Sequence, residues 1–486
     1  MDGRPEQNHE LEVASETFRE WVREACDRVV AHVESLPEQN AGFDPSRALE
    51  AARNLVEPVP PEEGRPLSEV LDLVFDECVP QSFNAAGPGY LAYIPGGGIL
   101  TAALADFISN GLNRYTGVWA AAPLLVELET NVLRWLIREM GYPSTARGIF
   151  TTGGSLANLT AITTARVEKL GEDPSRGAVL VGEHAHHSVA KAARICGFRN
   201  DQIHAVASDE AFRMDLDDLR RVIVTVRDRG LEPFLVVASA GTTDTGAVDP
   251  LPALVEVAGR ENMWLHVDAA YGGAFMLTER GRHRLCGISE ADSITLDPHK
   301  GLFLPYGTGA LLVRRGAALR AAHHSEASYM PDFQDELGED YQPMDFCEYG
   351  PELSRSYRGL RLWLPIMLHG MGAFRRNLDE KLDLIALAER ELAAMPGIEI
   401  VAPPQLSVLA FRLQSQDGDG AAGDRMTEEL LRRILSHQRV WLTSTRLRGR
   451  FVIRICVLSF RTHEDRMREC LDIIRDEARG LLEGRA

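Results

Sequence analysis

Between about residues 125 and 315, short apolar runs alternate with stretches of helical period. "AVLVGEH", "FLVVASAGTT", "MWLHVDAAYGG", "SITLDPHK" and "GALLVRR" have strand character, and residues 155–170, 186–196, 215–229 and 250–260 read as helices between them. Several of the runs are continuously apolar, so both of their faces must be covered. Strands of that kind joined by helical crossovers predict an α/β fold with a mostly parallel sheet between helices. Such sheets bind ligands at the carboxyl ends of their strands. Most of the polar clusters of this chain fall there.

The flanking segments read differently. Phe18, Trp21, Val22, Ala25, Val29 and Val33 recur at helical steps over residues 15–36, and a second helix begins at Ser68. These helices precede any strand, so residues 1–90 are expected to pack on the main domain or on a second subunit. A glycine- and proline-rich transition, "PGYLAYIPGGG", leads into a large domain over 91–365. Residues 320–358 show no clear period, and a segment that long suggests a functional lid. After a helix near 360–395, four antiparallel strands and helices near 424–437 and 463–480 predict a small α+β domain over 366–486.

Bulk properties remove several function classes. The chain of 486 residues carries a formal charge of −19 and no basic stripe, which argues against nucleic acid and anionic membrane partners. Its seven cysteines form no CxxC pair, so reduced thiols are expected and neither a disulfide framework nor a zinc knuckle is. No apolar stretch approaches the roughly 20 residues of a membrane span, and the polar N-terminus lacks a signal core. A cytoplasmic protein is the expectation.

Five clusters at successive strand ends carry the chemistry. "FTTGGSLANLTA" sets two glycines and Ser155 before a helix, which suits a phosphate or simply a capped turn. Asp268 ends an apolar strand, where a carboxylate must be paired. "EHAHHSVAKAA" offers His184, His186 and His187 without the complementary ligands a zinc site needs, so no metal is expected. "ASAGTTDTG" supplies Thr242 and Thr243 after another strand. Lys300 closes the set in "ADSITLDPHKG". Only four of the 52 basic residues are lysine, namely Lys169, Lys191, Lys300 and Lys381. Arginine stays protonated, whereas a partly desolvated lysine amine can attack a carbonyl. A phosphate loop, a buried carboxylate and a retained lysine together suggest pyridoxal 5′-phosphate.

The motifs "TTGGSLAN", "HAHHSV", "GTTDTGAVD", "HVDAAYGG" and "DPHKG", with "VWAAAPLLVELE" upstream, resemble in order and spacing the group II pyridoxal-phosphate decarboxylases, aromatic-L-amino-acid branch. The resemblance runs from about residue 15 to the C-terminus. It implies a fold-type I enzyme with a mostly parallel seven-stranded sheet, acting as a homodimer with sites at the subunit interface. It further implies that Lys300 anchors the cofactor aldehyde, Asp268 pairs with the pyridine nitrogen and His186 stacks on the ring. Ser155, Leu156 and Ala157 would hold the phosphate, and Thr243, Asp297 and His299 would contact the cofactor.

"EASYM" resembles the mobile-loop segment whose tyrosine reprotonates the substrate carbon, which makes Tyr329 the expected general acid. Tyr329 and His186 together favour amine formation over oxidative aldehyde formation in that family. Ile94, Gly96, Tyr115, Gly117 and Trp119 fall in the segments that line its substrate pocket. Gly301 replaces a frequent tryptophan, while Ile94 and Gly117 replace frequent phenylalanines, so a larger ring or a non-aromatic substrate becomes admissible. The expected reaction is decarboxylation of an L-amino acid, with an aromatic acid ranked first. The alternatives are a glutamate- or diaminobutyrate-type decarboxylase, a decarboxylating aldehyde synthase and a pyridoxal-phosphate-binding sensor without turnover.

Overall fold

The computed structural model describes residues 11–55, 59–171, 173–325, 343–415 and 419–484. Seven strands form the main sheet: β1 (Arg147–Thr151), β2 (Gly177–Gly182), β3 (Ile203–Val206), β4 (Glu232–Ser239), β5 (Trp264–Asp268), β6 (Ser293–Leu296) and β7 (Gly309–Val313). Their spatial order is β1-β7-β6-β5-β4-β2-β3. The pairs from β3 to β6 are parallel, and β7 runs antiparallel to both of its neighbours. The sheet is therefore α/β and mostly parallel. β4 is buried at every position but its first, which is why its sequence does not alternate.

Helices Gly154–Leu170, His187–Ile195, Leu216–Asp228 and Leu251–Glu261 form the crossovers. The first crosses the sheet on a face of small residues, with Ala157, Ala161 and Ala165 all buried. Asp215 caps the third by accepting the N–H groups of Asp217 and Asp218. β1 and β3 were not among the strands read from the sequence. The helix expected near 360–395 is two helices, Gly359–His369 and Met371–Ala393, because Gly370 between them takes a φ of 72°.

The second sheet is antiparallel, with β8 (Ile398–Ala402), β9 (Val408–Leu413), β10 (Thr443–Leu447) and β11 (Arg450–Cys456) in the order β10-β11-β9-β8. Helices Met371–Ala393, Gly420–Ser436 and Glu464–Leu482 pack with it around a separate apolar cluster. Arg454 of β11 reaches back to the main sheet, where its guanidinium donates to the Thr243 and Asp244 carbonyls. Lys381 is fully buried, and its ammonium donates to Glu380 at 2.8 Å and the Thr462 carbonyl at 2.6 Å.

Helix Ser15–Ser35 has no buried residue, and its apolar stripe includes the exposed side chains of Phe18 and Trp21. Among the described residues no helix is long and apolar enough to cross a membrane.

Candidate active site

The carboxyl ends of the parallel strands open into a cavity of about 260 Å³. Ser155, Leu156, His186, Thr243, Asp268, Asp297, His299 and Lys300 all line it, together with Gly153, Gly154, Asn158, Ser188 and Thr242. Asp268 is the last residue of β5, and Lys300 lies in a single helical turn that follows β6. Chain segments far apart in sequence thus deliver their polar ends to one place.

Each group is held by a definite contact. Lys300 Nζ lies 3.0 Å from Asp297 Oδ2. The other oxygen of that carboxylate, Oδ1, is buried and has no hydrogen-bond partner among the described residues. His299 donates from Nδ1 to the Thr308 carbonyl at 2.6 Å, which leaves its Nε2 on the cavity side, and burial lowers its pKa. Asp268 Oδ2 accepts from Asn158 Nδ2 at 2.9 Å, and Oδ1 accepts the Ala270 N–H at 3.1 Å. His186 caps its helix: Nδ1 accepts from the Ser188 N–H and faces the Ser188 hydroxyl at 2.8 Å. Burial is the largest influence on His186 and lowers its pKa, so the ring is neutral and can carry its proton on Nε2.

Helix Gly154–Leu170 begins without a side-chain cap, and its first turn lines the cavity. Gly153 sits at φ 156°, and the tight approach of Gly309 to it leaves no room for a Cβ at Gly309, 2.5 Å from the Gly153 backbone. The expected phosphate donors need one adjustment. The Leu156 and Ala157 amides both already donate to the Gly153 carbonyl at 3.1 Å, and Ala157 is buried away from the cavity. Gly154 and Ser155 are the residues of this turn whose amides are left to a ligand.

The expected substrate-pocket residues separate. Gly96 lines a second cavity of about 530 Å³, with Phe75, Phe83, Tyr306 and His299, and His299 is shared with the first. A Cβ at Gly96 would lie 2.0 Å from the His299 carbonyl oxygen, so only glycine fits against that turn. Ile94 is buried in the main apolar core. Tyr115, Gly117 and Trp119 line neither cavity. A Cβ at Gly117 would lie 2.6 Å from the Tyr115 hydroxyl, which in turn donates to the Leu353 carbonyl at 3.2 Å. The room gained by glycine at 117 is therefore filled by Tyr115 rather than left open. Trp119 donates its backbone N–H to Asp345 at 2.5 Å. Tyr329 lies outside the described residues.

Asn158, Ser188 and His266 were not singled out in the sequence. A signal existed, since Asn158 is a polar residue on the buried face of its helix, one turn after the glycine pair. A buried amide there needs partners, and the structure supplies them.

An amine, a carboxylate lining the same cavity, a neutral imidazole and an uncapped helix start match the groups that pyridoxal phosphate requires. The unpartnered buried oxygen of Asp297 beside Lys300 fits a polar group arriving in the cavity. Fold and site define a pyridoxal-phosphate enzyme of fold type I.

The comparisons give the family. Residues 50–414 match the model described as the pyridoxal-dependent decarboxylase conserved domain, and the chain belongs to that family of carboxy-lyases. It is 33% identical over 459 residues to an aromatic-L-amino-acid decarboxylase of Bacillus atrophaeus, covering 94% of each chain. It is 31% identical to an L-2,4-diaminobutyrate decarboxylase of Rhizobium meliloti, covering 96% of this chain and 92% of that one. The fold is shared with Oryza sativa TDC, solved with PLP and tryptamine, at a TM-score of 0.90 and 24% identity over 97% of this chain and 99% of that one.

Proposed function

We propose that this pyridoxal-phosphate decarboxylase acts on an aromatic L-amino acid, releasing the amine and CO₂, as a cytoplasmic homodimer with interface active sites. The observation that carries the substrate class is the 530 Å³ cavity that shares His299 with the cofactor cavity. Its lining includes Phe75, Phe83, Tyr306 and the Gly96–Gly98 loop, and among the described residues no Asp, Glu, Lys or Arg lines it. A flat apolar ring finds complementary surface there. A side-chain ammonium or carboxylate would meet neutral polar groups such as Gln39, Asn40 and Asn84 but no oppositely charged Asp, Glu, Lys or Arg among those residues. The aromatic-L-amino-acid decarboxylase relative supports the same reading.

Bound pyridoxal phosphate supplies an electron sink for the pair left behind as CO₂ departs. The chain's own residues do the rest. Lys300 would hold the cofactor aldehyde through its amine, which Asp297 orients from 3.0 Å. Asp268 would accept the ring N–H and keep that nitrogen protonated. His186 would stack on the ring and, with its pKa lowered by burial, add no competing charge. The Gly154 and Ser155 amides would bind the phosphate at the positive end of their helix, and Thr243 and His299 would complete the enclosure. Tyr329 would return a proton to the substrate carbon. The exposed apolar stripe of Phe18 and Trp21 supports packing of the N-terminal helices on a second subunit.

The test is a screen of CO₂ release over the amino acids, with products identified by mass spectrometry. Amine from tryptophan, tyrosine, phenylalanine or DOPA is expected. Release confined to glutamate or diaminobutyrate would overturn the aromatic assignment, and silence with all of them would overturn turnover.

A further inference from the structure

Behind the cavity, a chain of buried polar side chains runs along one face of β5 and β6, beneath helix Gly154–Leu170, and ends on Asp268. Asn158 Nδ2 donates to Asp268 Oδ2 at 2.9 Å and to Ser188 Oγ at 3.1 Å. Asn158 Oδ1 faces Thr295 Oγ1 at 2.8 Å and His266 Nε2 at 3.1 Å. His266 Nδ1 faces Ser293 Oγ at 2.8 Å, and Ser293 Oγ accepts from Trp264 Nε1 at 2.8 Å. Asn158, His266, Ser293 and Thr295 are all essentially inaccessible to water.

The directions of these bonds follow from chemistry. An ionised carboxylate only accepts, so the amide nitrogen of Asn158 must face Asp268 and its oxygen must face His266. His266 therefore carries its proton on Nε2 and accepts on Nδ1 from the Ser293 hydroxyl, whose oxygen takes the Trp264 N–H. Burial holds His266 neutral by lowering its pKa to about 4. Every donor from Trp264 onward points toward Asp268. A flipped Asn158 would set its oxygen against the Asp268 carboxylate at 2.9 Å, two acceptors facing each other, so the amide has one orientation.

The second N–H of Asn158 has its own destination. Ser188 Oγ accepts it and can donate to His186 Nδ1, 2.8 Å away. One side chain thus reaches both groups that the cofactor ring would meet, the carboxylate at its nitrogen and the imidazole on its face.

We infer that Asn158 is a positioning residue that fixes the plane and charge of Asp268 and, through Ser188, the tautomer of His186, thereby holding the cofactor's ring nitrogen protonated. The inference rests on the assignment of Asp268 to that nitrogen. Donation to the carboxylate stabilises its charged form, and a charged Asp268 stabilises a protonated ring nitrogen. Removing the amide would leave Asp268 with the Ala270 N–H as its one remaining protein donor among the described residues.

The holoenzyme reconstituted with pyridoxal phosphate labelled with ¹⁵N in the ring tests this directly, because the ring-nitrogen chemical shift reports protonation without turnover. Three variants are compared with the parent: Asn158→Ala, Asp268→Asn and Thr295→Val. The last keeps side-chain volume while removing the 2.8 Å contact to Asn158 Oδ1, and serves if the alanine variant does not fold. The expected result is a ring-nitrogen resonance displaced toward the unprotonated position in Asp268→Asn, and a deprotonation midpoint lowered by about one pH unit or more in Asn158→Ala. Thr295→Val should fall between the parent and Asn158→Ala. If Asp268→Asn moves the resonance while Asn158→Ala, or Thr295→Val in its stead, leaves it unmoved, Asn158 has no such role. If Asp268→Asn itself leaves the resonance unmoved, the assignment of Asp268 fails, and this inference fails with it.

Discussion

Lys300 Nζ and Asp297 Oδ2 stand 3.0 Å apart, three residues from each other across the turn that follows β6. The carboxylate is almost wholly buried while the amine faces the cavity. Asp297 therefore fixes where the one amine at these strand ends points. Truncating one partner of a desolvated, hydrogen-bonded charge pair typically costs about 2–5 kcal/mol. Asp297→Asn should lower kcat/KM about 30-fold or more, with weaker cofactor retention in equilibrium dialysis. Parent-like values in both measurements would remove Asp297 from the site.

Lys300→Ala should abolish covalent attachment of the cofactor. Reduction of the holoenzyme with borohydride followed by peptide mass spectrometry should mark Lys300 in the parent and no lysine in the variant. A mark on Lys191 or Lys169 instead would refute the anchor.

Acid should destabilise the protein in a defined window. Burial lowers both His266 and His323 to about 4, below the ordinary histidine value of 6.5. Between those values the unfolded chain binds protons that the folded chain refuses. The stability that these rings contribute is present above pH 6.5 and is lost as pH falls toward 4. Each contributes a slope of up to about 1.4 kcal/mol per pH unit. Asp249 opposes them, because burial raises it to about 6 and the folded chain binds its proton first. Denaturant titrations from pH 7 to 4 should show the net loss, and His323→Asn should flatten it.

Asp249 also has a structural task. Its two oxygens accept the Met214 and Ser239 N–H groups, each at 2.7 Å. In Asp249→Asn an amide NH₂ must face one of those donors, which should cost about 1–3 kcal/mol. Urea unfolding at pH 7 measures it, and an unchanged midpoint would contradict the contact.

If the Phe18 and Trp21 stripe is a subunit contact, Phe18→Asp combined with Trp21→Asp should halve the mass seen by light scattering after size exclusion. A mass that does not change would place the interface elsewhere.

Much of this architecture is legible in the residues because burial on two faces leaves an unmistakable signature. The runs at β2, β4, β5, β6 and β7 are apolar enough to be read directly. β1, "RGIFT", opens on a charge and a glycine, and β3, "IHAV", is a four-residue edge strand, so neither stands out from a loop. The break at Gly370 is hidden because a single glycine within a helical pattern is usually tolerated. The strand-end residues of the candidate site were readable, since a carboxylate or lysine after an apolar run demands a reason. Asn158 was not, because an asparagine within a helix is ordinary until its partners from β5 and β6 are known. Position 117 misled for a related reason: the sequence records a missing side chain but not the neighbouring tyrosine that occupies its space.

The burial of Lys381 has a practical consequence for studying the protein in solution. With that ammonium sealed between Glu380 and the Thr462 carbonyl, amine-directed reagents meet just three lysine side chains on the folded chain: Lys169, Lys191 and Lys300. Two of them serve as built-in reference sites for the third. In the cofactor-free chain, acylation at Lys300 measured against Lys169 and Lys191 would report how far cofactor binding protects that amine, without engineering a probe.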